Sequence, residues 1–169
     1  MATLKGNVKS VVNLSYNSGL DIGIGQHKID LIKDIAFTSG TGANQINLLW
    51  SDQRTLAAST GEDLDLAGSL VDAFGNTLTF ASIKMIYIFS AAANGDNLLV
   101  GGAVSAAIST LFSDTSDEII VAPGGTMLLV NPNAAGYAVT ATTADLLRIE
   151  NADSGAAATY DIIIAGDSA

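Results

Sequence analysis

The sequence predicts an all-β chain: an antiparallel β-sandwich, jelly-roll-like, with little or no helix. Two observations carry this. Runs of strand type follow one another through the last third, at 118–122, 126–130, 137–141, 146–150 and 159–164, each bounded by Gly, Pro, Asn or Asp. Short strands about 8–12 residues apart, with turn signals between them, are the pattern of a sandwich or barrel. The second observation is that no segment offers a capped helix, apart from one ambiguous stretch at 103–112.

Taken in order, residues 1–20 alternate loosely through Leu4, Val8, Val11, Val12, Leu14 and Tyr16. They read as a strand or as an extended arm laid on a neighbouring subunit. In 28–37 the polar Lys28, Asp30 and Asp34 share one face of a strand, and Ile29, Leu31, Ile35 and Phe37 share the other. The division expected is 1–44 as N-terminal strands or arm and 45–169 as the sandwich, the two together compatible with one domain. Residues 46–50 read as a strand and 51–54 as its turn. Residues 62–67 alternate cleanly, and 72–76 is a turn. The most apolar run, 83–89, is too continuous for a strand with one wet face, which places it centrally and covered on both sides. Asn94-Gly95 is a turn signal leading into a strand near 98–102. In 103–112, Val104, Ala107, Ile108 and Leu111 fit a helical face, while flanking glycines and Ser/Thr content fit a loop or irregular strand. Ala122-Pro123-Gly124-Gly125 has the Pro and Gly that a type II turn requires. The last third reads as a meander or part of a Greek key, and 54–102 and 118–166 as two halves of a sandwich.

A chain of 169 residues buries about 70% of the surface its unfolded form exposes, so a core can form without staples. Cys is absent, which removes disulfides, thiolate zinc sites and a cysteine nucleophile. No run of 18 apolar residues occurs, so no transmembrane helix is expected, and Met1-Ala2-Thr3-Leu4-Lys5-Gly6 lacks the apolar stretch of a secretion signal. Net charge is −10, and the seven cations are scattered. Nucleic-acid binding draws its affinity from clustered Lys and Arg on phosphates, so it is not expected.

The residues that chemistry would need are few. His27 is the only histidine, and Asp30 faces the opposite side of the same strand. Gly23-Ile24-Gly25 is followed by Lys28 where the dinucleotide fingerprint needs glycine, and no P-loop occurs. Asp63 and Asp65 point the same way, about 6.6 Å apart along a strand, and Asp114, Asp117 and Glu118 surround a loop. Calcium takes six to eight oxygens from such groups, but solvated acidic loops account for both clusters equally simply. Trp50 reads as core. Arg54 should pair with an acid inside the fold or across a subunit contact. No catalytic, cofactor-binding or metal residue is assigned, and no enzyme activity is expected.

The stretches 51–57 and 62–68, with Pro123-Gly124-Gly125 and the closing Tyr160-Asp161-Ile162-Ile163-Ile164-Ala165-Gly166, resemble small virion proteins of tailed bacteriophages. The likeness covers about residues 45–166. It implies a structural protein made in the host bacterial cytoplasm and located in the virion. Such a protein is most simply a capsid decoration or cement protein that oligomerises, with a trimer favoured, and binds the major capsid protein or tail proteins. The alternatives it leaves are a tail-associated or fibre protein, and a carbohydrate- or receptor-binding module on the same scaffold.

Overall fold

The computed structural model describes residues 3–169. The described residues form twelve strands and no helix. The first two, β1 (Gly6–Gly19) and β2 (Ile24–Ser39), make one long antiparallel hairpin, with a two-residue strand β3 (Gln45–Ile46) beside its root. The body follows: β4 (Leu48–Leu56), β5 (Gly61–Asp65), β6 (Ser82–Ser90), β7 (Leu98–Gly101), β8 (Glu118–Val121), β9 (Thr126–Val130), β10 (Tyr137–Ala138), β11 (Leu146–Asn151) and β12 (Ala158–Asp167).

The body strands pair as nested partners. β4 pairs with β12, β5 with β11, β6 with β9 and β7 with β8, all antiparallel. The segment from 48 to 167 is thus one long folded ribbon. Rolling that ribbon up adds the lateral pairings β6–β12 and β7–β11. The result is an antiparallel β-sandwich, with one sheet ordered β9-β6-β12-β4 and the other β5-β11-β7-β8. β10 extends the first sheet beside the start of β6. Side chains alternate across each strand, so every second residue enters the space between the sheets. Trp50, Ile86, Ile88, Tyr160, Ile162 and Ile164 enter from one sheet, and Leu64, Leu98, Val100, Val121, Leu147 and Ile149 from the other.

Several sequence readings change. The last third is not a meander: β8 and β11 lie in one sheet, β9 and β12 in the other. The stretch 122–125 therefore crosses between sheets, with Gly124 at φ +74°. Nor do 54–102 and 118–166 form separate halves, since each supplies both sheets. Residues 51–54 are not a turn. β12 offers an unbroken backbone partner from Leu48 to Leu56, and that pairing overrides local turn preference. The strand at 137–141 is only two residues long. β6 is central, with neighbours on both edges, but the second sheet covers one face only. Its other face, carrying Met85, Tyr87 and Phe89, is half-buried. No helix forms at 103–112, where an irregular segment drops Ile108 into the core. The 66–81 connection supplies Leu66, Leu70, Leu78 and Phe80 to the same core, which the turn signals around it had hidden.

The β6–β12 ladder carries one bulge. Ala165 faces Met85 but Gly166 faces Ile83, leaving Lys84 as the extra residue. The backbones approach closely there: a Cβ on Gly166 would lie 2.1 Å from the Ser82 carbonyl oxygen. We expect Gly166→Ala to destabilise the body by about 1–3 kcal/mol through this overlap. Ile88→Ala should cost about 2–5 kcal/mol by leaving a cavity between the sheets. Urea unfolding of both variants checks these values.

Candidate functional site

The hairpin is the feature that the fold does not use for itself. Fourteen paired residues at about 3.4 Å each make it roughly 45 Å long. Directly opposed residues of an antiparallel pair share a face. One face therefore carries Val8 with Ile35, Val12 with Leu31, Leu14 with Ile29 and Tyr16 with His27, interrupted only by Ser10 with Lys33. The other face carries Lys9 with Asp34, Asn13 with Asp30, Ser15 with Lys28 and Asn17 with Gln26, and one apolar pair, Val11 with Ile32. The polar face is stitched by hydrogen bonds: Gln26 Nε2 donates to Ser15 Oγ at 3.2 Å and to Asn17 Oδ1 at 3.0 Å. The expected division of 28, 30 and 34 from 29, 31, 35 and 37 is the one observed.

The apolar face is packed only at its root. Phe37, Val8 and Ile35 gather with Leu4, Ile46, Met85, Val130 and Ala165 on the outer face of the β9-β6-β12-β4 sheet. Beyond the root nothing lies beneath it. Leu14 is 60% exposed and Tyr16 72%. Leu20, Ile22 and Ile24 at the tip are exposed too. An isolated two-stranded hairpin is marginal in water, and a contiguous exposed apolar face marks an interaction site.

The root is held by a buried charge. Lys84 has no exposed surface. Its ammonium donates to the carbonyl oxygens of Asn133, at 2.6 Å, and Ala134. It sits 3.2 Å from Asp167 Oδ2, close enough for an ion pair but not aligned as a hydrogen bond. Ser82 Oγ donates to the other Asp167 oxygen at 2.7 Å. The 131–136 loop that Lys84 holds in turn accepts from the hairpin's side, Asn44 N to Pro132 O at 2.7 Å.

At the open edge between β4 and β5, Arg54 does pair inside the fold. Its Nε donates to Glu62 Oε1 at 2.9 Å, its Nη2 reaches Glu62 Oε2, and its Nη1 donates to Asp52 at 3.0 Å. The hydrogen bond from Glu62 holds the guanidinium above its ordinary range against the pull of burial. Tyr160 is buried and its hydroxyl donates to Glu62 Oε1 at 2.7 Å. Burial pushes this phenol well above its usual range, and the Glu62 carboxylate adds to the effect. The cluster is a cross-sheet lock, because Arg54 and Tyr160 come from one sheet and Glu62 from the other.

The remaining candidates are separated or already engaged. His27 is exposed near the hairpin tip, facing Tyr16, with Asp30 on the opposite face. Gly23 and Gly25 belong to the tip turn and the strand after it. Trp50 is core. Asp63 accepts from Arg148 at 3.2 Å, and Asp65 Oδ1 accepts from the Ala67 amide at 2.8 Å. Asp114 accepts from Ser116, whose amide holds this carboxyl below its usual range, and Asp117 accepts from the Asp114 amide. Glu118 opens β8 and is exposed. Among the described residues no group of three or more His, Asp or Glu converges as metal ligands would. Comparison with protein-family models, with curated proteins and with solved structures gives no match.

Two variants test the locks. Lys84→Met should cost about 3–5 kcal/mol, because it leaves the buried Asp167 carboxylate with the Ser82 hydroxyl but no opposite charge. Tyr160 is neutral in the fold well above the pH of about 10 at which an unfolded tyrosine ionises. Below that pH both states hold the proton and the linkage is nil. Above it the unfolded state loses the proton first, so stability falls as pH rises. Tyr160→Phe should remove this part of the alkaline slope while lowering neutral-pH stability by about 1–2 kcal/mol for the lost bond to Glu62. Urea midpoints from pH 7 to 11 read both effects.

Proposed function

We propose that this chain is a structural component of a tailed-phage particle, a capsid decoration or cement protein that self-associates and stabilises the shell by covering contacts of the major capsid protein. The observation that carries this reading is the hairpin: a roughly 45 Å arm with one apolar face that, beyond its root, none of the described residues covers. An arm of this kind gains its stability from a partner. Apolar burial contributes about 25 cal/mol per Å² before the cost of association is subtracted.

The body supports the same reading. The order β4-β12-β6-β9 facing β5-β11-β7-β8, with its four nested hairpin pairs, is the order of an eight-stranded jelly roll, an architecture used in viral capsid and lectin domains. The resemblance of 51–68 and 160–166 to small virion proteins points the same way. Asp63, Asp65, Asp114 and Asp117 are tied to neighbours as hydrogen-bond acceptors or ion-pair partners, which suits a rigid building block.

Immunogold labelling and mass spectrometry of purified particles test the proposal. The protein should be found on the head, in many copies. Particles assembled without it should release their genome several degrees lower on heating, and added protein should restore the loss. Absence from washed particles would overturn the reading, and labelling confined to the tail would move the protein to a tail-associated role.

A further inference from the structure

We infer that the arm of one copy docks by its apolar face across the outer face of the β9-β6-β12-β4 sheet of a second copy, with each copy both giving and receiving an arm. This rests on the reading of the arm as an assembly element and names the surface that accepts it.

Three observations select that surface. The first is continuity. At its root the arm's apolar face already packs on Met85, Val130 and Ala165 of this sheet face. A cleft of about 130 Å³ opens where the packing stops, between Leu4, Val8 and Phe37 on one side and Leu49, Met85 and Ala165 on the other. Away from the root, the sheet face continues outward as Leu49, Ile163, Tyr87 and Leu128. The pairing of Ile163 with Tyr87 and of Tyr87 with Leu128 aligns three of them in a row across the strands. Leu49 and Leu128 are exposed, and the other two are half-buried. The outer face of the other sheet carries Leu99 and Ile120 too, but sets them among Asp63, Arg148, Glu150 and Glu118, which an apolar ribbon would desolvate at a loss.

The second observation is charge. The hairpin, residues 6–39, holds three lysines against three aspartates and is neutral, whereas residues 40–169 hold three cations against fourteen acids, a net of −11. The five ion pairs found among the described residues all lie in the body and engage Arg54, Lys84 and Arg148. The arm's apolar face carries Lys33 and His27 but no acid, since Asp30 and Asp34 lie on the other face. Two arms laid face to face would bring like charges together. An arm on a body brings Lys33 toward a sheet face whose charged residue is Asp161, beside Phe89. Attraction of this kind steers association as well as orienting it.

The third is area. The overhanging ten residue pairs, at about 3.4 Å each and two strands wide, give a flat footprint of roughly 340 Å². A stable interface removes about 800 Å² from each partner. One arm on one body falls short. A copy that gives and receives loses two such footprints, roughly 700 Å², which approaches the requirement. Mutual exchange between two copies follows, since in a longer ring each contact would hold only one arm on one body.

The Cys-free chain makes the docking directly testable. Leu14→Cys chains and Leu128→Cys chains, mixed as purified full-length proteins and treated with a short bismaleimide, should give mainly the mixed cross-linked dimer, at least tenfold over either like-with-like product. Light scattering of the uncross-linked wild type should show an oligomer. Leu14→Asp/Leu31→Asp in the arm, and separately Leu49→Lys/Leu128→Lys on the sheet, should each raise the dissociation constant at least 100-fold with an unchanged far-ultraviolet spectrum. All these positions are exposed, and an altered spectrum in one variant leaves the cross-linking ratio as the deciding measurement. A dominant Leu14–Leu14 product would show arm-on-arm packing and overturn the inference. So would a monomeric wild type at 100-fold above working concentration, or a sheet variant with wild-type mass. None of these outcomes touches whether the protein is found on the particle, so the two proposals fail separately.

Discussion

A lysine without water is the constraint on which the geometry of this molecule depends. Lys84 is fully enclosed, and an ammonium taken out of water is tolerated only where acceptors surround it. Its acceptors come from two separate places: the carbonyls of Asn133 and Ala134 in the β9–β10 loop, and Asp167 at the end of β12. The bulge delivers the side chain to that spot, and Gly166 permits the backbone approach that makes the bulge. A charge in this setting fixes direction more than it adds net stability. It sets where the 131–136 loop must lie. That loop accepts the Asn44 amide, and so the position of the hairpin root is tied to Lys84.

The hairpin then shows what a long strand pair becomes when one of its faces is apolar and the body packs only against its root. Cross-strand pairs such as Val12 with Leu31 and Leu14 with Ile29 each contribute a few tenths of a kcal/mol to about 1 kcal/mol. That is enough to hold register and too little to fold the ribbon against its backbone entropy at about 1–2 kcal/mol per residue. Root packing and the polar stitching on the other face lower the cost at one end. The tip, with Leu20, Ile22 and Ile24 in solvent, receives no such help. Coverage by a neighbour would supply the missing apolar contact along the whole length.

Much of the fold was legible because alternation is a local signal. The faces of 28–37 and the alternation at 62–67, of which 62–65 is strand, could be read from neighbours two residues apart, and 83–89 could be read as a central strand, though not that one of its faces is only half-buried. What was not legible depends on partners far away in sequence. Ser51 to Arg54 looks like a turn until β12, more than a hundred residues later, pairs with it. The last third looks like a meander because sequence shows the strands but not the sheet each one joins. That Lys84 would be buried follows from its place in an apolar run, but its acceptors, the carbonyls of Asn133 and Ala134 and the carboxylate of Asp167, lie about fifty and eighty residues away and left no local signal. The arm's apolar face was visible in the spacing of Val8, Val12, Leu14 and Tyr16. That nothing covers it was not, because exposure is a property of the whole molecule.

Charge explains why the arm rather than the body would make the first contact. Two bodies of net −11 repel as they approach, and the repulsion extends over a Debye length of about 8 Å at physiological salt. The arm, residues 6–39, holds three lysines against three aspartates and is neutral, and it reaches several times that distance, so it meets an acidic body without the repulsion that keeps two bodies apart. Once an arm lies on the sheet, its polar face, with Lys9, Lys28, Asp30 and Asp34, turns toward solvent and replaces an apolar surface by a mixed one. The same act covers two surfaces that water opposes and closes the unpaired outer face of the sheet. In the proposed assembly the acidic bodies hold copies apart and the hairpin supplies the contact that joins them.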